Sequence, residues 1–164
     1  MKCITIVLMI IFFSFCYGGE VLAAGFKPPS AVCFNLQGGE ILTLTIKAMG
    51  KATMADGSTQ FYSINGVLFN QGDLYGAPLT GTGYMSKGQS NRIFNFEVVG
   101  SVFSGSADHY RYSFLGHWDV VVGSGEMFGS SSGLDHANLV NMTINTVDCK
   151  AQTIPPNVLP PFPQ

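Results

Sequence analysis

Apolar and polar residues alternate with period two along most of this chain. In 92–103, Phe94, Phe96, Val98 and Val102 fall on one parity and Asn95, Glu97 and Ser101 on the other. In 109–122, Tyr110, Tyr112, Phe114, Trp118, Val120 and Val122 share a parity with Gly116. His109, Arg111, Ser113, His117 and Asp119 take the opposite one, with Leu115 and Val121 among them. Val140, Met142 and Ile144 alternate with Asn141, Thr143 and Asn145, and Leu42, Leu44, Ile46 and Ala48 mark one face of an earlier run. This is the period of a β-strand, whose successive side chains point to opposite faces. The pattern predicts strands over 31–37, 41–54, 59–70, 79–86, 92–103, 109–122, 126–130 and 139–149, separated by turn-rich clusters such as 55–58, 87–91 and 123–125. No helical period follows the first 24 residues.

The links between these runs are short, so sequential strands pair antiparallel; parallel pairs need long crossovers. The expected fold is all-β, an antiparallel up-and-down barrel of about eight strands, with an open β-sandwich as the alternative. Closure removes exposed strand edges. Gly50, Gly66, Gly83, Gly100, Gly116 and Gly133 recur every 16 or 17 residues, mostly inside predicted strands. A strand glycine marks a bend, a bulge or a close approach, which a small barrel requires.

The ends read differently. Lys2 and the apolar run 4–15, followed by small residues up to Ala24, predict a cleaved signal peptide over 1–24. That run is too short for a comfortable bilayer span, so no stable membrane span is expected after its removal. Residues 25–30 form a short lead-in, 31–150 the barrel domain and 151–164 a Pro-rich tail unable to form a helix or a strand interior. Cys3 and Cys16 fall within the leader. Cys33 and Cys149 remain, one on each end strand, and an exported chain with two thiols favours one disulfide between them. That bond joins the same two strands that closure would pair. The expected location is secreted or periplasmic.

Composition narrows the function classes. Of 164 residues, 46% are apolar and 11% charged, and the net charge is −2. Scattered Lys and Arg give no footprint for nucleic acid. No catalytic, metal-ligand or cofactor motif is found. His117 and Asp119 share a strand face with Arg111, which reads as a solvated face. Ser130–Gly133 with Asp135 and His136 brings Ser, Asp and His close in sequence, but lacks a nucleophile turn and reads as a loop. Asn141-Met-Thr143 matches a glycosylation acceptor. An eight-stranded barrel is just wide enough to be filled by side chains or to hold one small ligand. The candidate pocket residues are Phe94, Phe96, Tyr110, Tyr112, Phe114 and Trp118, aromatics suited to a small apolar ligand. The expected function is non-catalytic binding of such a ligand. The alternatives are a protein-interaction module (a secreted inhibitor or envelope structural subunit) and a small outer-membrane barrel.

Overall fold

A computed structural model describes residues 27–54, 57–71, 76–86, 92–104, 108–133 and 137–153. The predicted leader over 1–24 and the tail beyond Thr153 lie outside the described residues. Eight strands follow one another: β1 (Ala31–Asn35), β2 (Glu40–Met54), β3 (Gly57–Asn70), β4 (Ala77–Ser86), β5 (Ile93–Ser104), β6 (Asp108–Asp119), β7 (Ser124–Ser132) and β8 (Ala137–Val147). Each pairs antiparallel with the next, and β1 pairs with β8 through Cys33↔Val147, Phe34↔Thr146 and Asn35↔Asn145, so the sheet closes into a barrel. A 3₁₀ turn, Cys149–Ala151, follows β8. The Cys33–Cys149 disulfide ties that turn to β1 beside the closing pair, with the Cα atoms 5.3 Å apart.

The alternation read from the sequence fills the interior. Phe34, Leu42, Leu44, Ile64, Leu79, Phe94, Phe96, Val98, Trp118, Met127 and Ile144 are almost fully buried there. The recurrent glycines explain how such bulk fits. Gly66 lies opposite Leu44, Gly83 and Gly116 opposite Phe96, and Gly100 opposite Leu79. Gly66, Gly100 and Gly116 leave the space into which Leu44, Leu79 and Phe96 lean, and Gly83 leaves room for the Phe94 ring. A Cβ on Gly116 would sit 2.6 Å from the Phe96 ring, and one on Gly66 would sit 2.8 Å from a Leu44 methyl. Small barrels fill their interior by this pairing of small with large. Gly50 serves differently, at a β-bulge where the β2–β3 register shifts between Ala48 and Gly50. Gly133 lies just past the end of β7.

Three local readings need correction. The sixth strand stops at Asp119, and Val120–Val122 form a turn instead of continuing it. Asp119 is the cause. Its carboxylate accepts from the N–H groups of Val121 (2.9 Å) and Val122 (3.1 Å), and its carbonyl accepts from Gly123, whose φ of 80° suits glycine. Ser130–Ser132 belong to β7, paired with β6 and β8, so they are strand and not loop. The eighth strand ends at Val147, two residues before Cys149.

A second apolar cluster has outward parity. Ile41, Val67 and Phe69 on the outside of β2 and β3 are buried, as is Thr43 beside them, whose hydroxyl donates to the Val67 carbonyl at 3.3 Å. The chain leaving Cys149 crosses this side of the barrel, and Gln71 just after β3 donates to Gln152 at 2.8 Å. Among the described residues no helix is long and apolar enough to cross a membrane.

Candidate functional site

The six aromatic residues singled out above divide into two groups. Phe94, Phe96, Phe114 and Trp118 belong to the interior cluster. Trp118 meets Phe34 edge-on at 5.3 Å and Phe94 at 6.0 Å, and Phe96 stacks between Phe34 (6.2 Å) and Phe94 (6.3 Å). These offset and edge-on pairings are the favoured arrangements of aromatic rings. They fill the interior around Trp118, which is 2% exposed. Its Nε1 is buried without a hydrogen-bond partner among the described residues. Tyr112 is only partly buried and stacks on Phe114 at 6.3 Å. Desolvation, with smaller contributions from Glu40 and Tyr110, raises its phenol above the usual value and keeps it protonated. Tyr110 lies two residues back on the same face.

A concavity lies on the outside of the wall. A groove of about 470 Å³ crosses β4 to β8. Two outward rows build it. One runs Tyr84–Asn95–His117–Glu126, and the other runs Thr82–Glu97–Leu115–Phe128–Asn141, with each neighbour a cross-strand partner. Between them lie Phe96 and Met127, whose side chains point inward, and Gly116, which has none, so the floor there is main chain. Exposed apolar residues extend this face. Phe61 pairs with Tyr84, Val99 lies one outward row beyond Glu97, and Leu139 lies one outward row beyond Asn141. Leu115 is 61% exposed, Phe128 48% and Leu139 72%. Isolated exposed apolar residues are ordinary, but a contiguous set framed by polar groups is informative.

The charges of the groove have one sign. Glu97 and Glu126 line it, no Lys or Arg does, and neither carboxylate has an ion-pair partner among the described residues. His117 faces Glu126 across β7 and Asn95 across β5. The other members of the strand-face cluster read from the sequence are not gathered with it. Asp119 is engaged by Arg92 at 2.7 Å and by its own turn, while Arg111 lies between Ser101 and Ser132. Asp135 and His136 lie outside the described residues, and no side-chain placement is described for His109.

Sequence reading placed Leu115 on the polar face but did not align it with Phe128 and Leu139. Only cross-strand register brings these residues together, and each looks like a stray apolar residue within its own strand. The signal was there as parity exceptions in three consecutive strands. Comparison with known proteins finds no matching family model, no matching curated protein and no matching solved structure.

Proposed function

We propose that this protein is a non-catalytic protein-interaction module that binds its partner on the outer face of β4–β8. The observation that carries this reading is the groove itself, where Tyr84, Leu115 and Phe128 stand exposed among Thr82, Asn95, Glu97 and Asn141 on a rigid wall. An aromatic and aliphatic centre with a polar rim is the composition of a recognition surface. The strands β4–β7 that carry most of the groove are paired on both sides, so recognition there works through side chains. The same reading makes the chain an exported one. The disulfide and the apolar N-terminal run support that. Selecting random displayed 12-residue peptides on the purified protein tests the site. Enriched peptides should lose binding to the Leu115→Glu and Phe128→Glu variants. Absence of enrichment, or binders indifferent to both substitutions, contradicts the reading.

One observation favours a second reading, a small apolar ligand held inside the barrel. The indole N–H of Trp118 is buried without an acceptor among the described residues. An orphaned buried donor costs on the order of 1–3 kcal/mol, which a ligand carbonyl or ether oxygen would offset. The dense aromatic packing around Trp118 places this reading second.

A further inference from the structure

We infer that the partner segment recognised by the β4–β8 groove is an extended peptide carrying arginine next to an apolar residue; this rests on the interaction-module reading above. Four features converge on that chemistry. Glu97 on β5 and Glu126 on β7 stand on either side of β6, both without a cation among the described residues. Two strand spacings and one outward row separate them, roughly 10–12 Å. That is about the span between residues three or four apart in an extended chain. Tyr84 and Phe128 present aromatic faces at the two flanks, where a guanidinium can stack as well as pair. Leu115 lies between the two carboxylates, cross-strand from Phe128, and offers an apolar seat for the residue beside the cation. Asn95, Asn141 and Thr82 supply hydrogen-bonding groups at the rim for the partner's main chain.

Charge decides against the competing occupants. A second copy docking face to face would bring Glu97 and Glu126 against their own counterparts with no Lys or Arg lining the groove to offset them. An anionic surface would meet the same two carboxylates. A neutral apolar segment would cover both without compensation, which is costly in proportion to the burial. Arginine suits better than lysine, since its planar fork pairs with a carboxylate and stacks on a ring at the same time.

The probes are three fluorescein-labelled octapeptides that alternate leucine with arginine, with lysine or with citrulline, the uncharged isostere of arginine. Each is titrated into the purified protein by fluorescence anisotropy at low and high salt. The arginine peptide should bind most tightly and the citrulline peptide at least about tenfold more weakly, with binding of the arginine peptide falling as salt rises. Glu97→Gln and Glu126→Gln should each weaken the arginine peptide several-fold while leaving the citrulline peptide unchanged, and Leu115→Ser should weaken all three. All three positions are on the outer surface, and thermal melts confirm that the variants fold. Equal binding of the arginine and citrulline peptides, or indifference to both Gln substitutions, overturns the arginine assignment. If Leu115→Ser still weakens binding in that case, the interaction surface stands. If the arginine peptide does not bind, or Leu115→Ser leaves every peptide unaffected, both the assignment and the surface fall.

Discussion

Replacing Gly116 by alanine tests how the interior is filled, because two physical effects predict opposite signs. A glycine in a strand interior is an entropic liability, and alanine at a compatible position stabilises by about 0.4–1 kcal/mol. In this barrel the new Cβ would lie 2.6 Å from Cζ and 2.9 Å from Cε1 of Phe96. Carbon atoms pack at about 3.5–4.0 Å, so the shortfall is roughly 1 Å. The ring has no room to withdraw, being 2% exposed and stacked between Phe34 and Phe94. Overpacking of this kind costs about 1–3 kcal/mol, which outweighs the entropic gain. Guanidinium chloride unfolding followed by the fluorescence of the single tryptophan gives the difference directly. Gly116→Ala should lower stability by roughly 1–2 kcal/mol net. Adding Phe96→Leu should give a double variant less destabilised than the sum of its parts by roughly 1 kcal/mol, since the two groups share one space. A stabilised Gly116→Ala, or strict additivity, would refute the argument.

Other consequences can be measured on the same protein. Replacing both Cys33 and Cys149 by serine should cost roughly 3–5 kcal/mol by chemical denaturation, because the bond closes a loop of sequence separation 116 in the unfolded chain. Phe69→Ala, on the outside of the wall but 2% exposed, should cost about 3–5 kcal/mol, as for a core phenylalanine; a loss below about 1 kcal/mol would mean the site is not packed. For the Asp119 carboxyl, desolvation works against ionisation, but the N–H groups of Val122 and Val121 and the Arg92 guanidinium outweigh it and hold its pKa below the usual value. A lowered folded pKa stabilises the protein above the unfolded value of about 3.9, and that stability is lost as pH falls through the folded value. Asp119→Asn should therefore lower the melting temperature at neutral pH and flatten its fall below about pH 4; an unchanged acid limb would contradict this.

Much of the architecture was legible because it rests on period-two alternation, which a half-buried strand cannot avoid. Strand number and order follow from it, and the disulfide between Cys33 and Cys149 agrees with closure between β1 and β8. The glycine recurrence was legible as a spacing, but its purpose was not. Only register shows Gly66 facing Leu44 and Gly116 facing Phe96. Val120–Val122 misled the reading because β-branched residues favour strands, whereas two hydrogen bonds to one carboxylate decide the local conformation. Ile41, Val67 and Phe69 break the rule that outward parity means exposure, since they pack into a cluster of their own on the outside of the sheet, which no alternation pattern encodes. The groove was hidden for a related reason. Leu115, Phe128 and Leu139 belong to three strands, and no periodicity within one strand connects them.

The central claim is that the barrel is filled and that its binding chemistry lies outside. Trp118 reports on this most directly, being the only tryptophan and lying at the centre of the aromatic packing. Its emission should be blue-shifted, resistant to acrylamide quenching and unchanged during titration with apolar probes such as fatty acids and small aromatic compounds. A saturable shift or quench by any of these probes would show an open interior site and contradict the account.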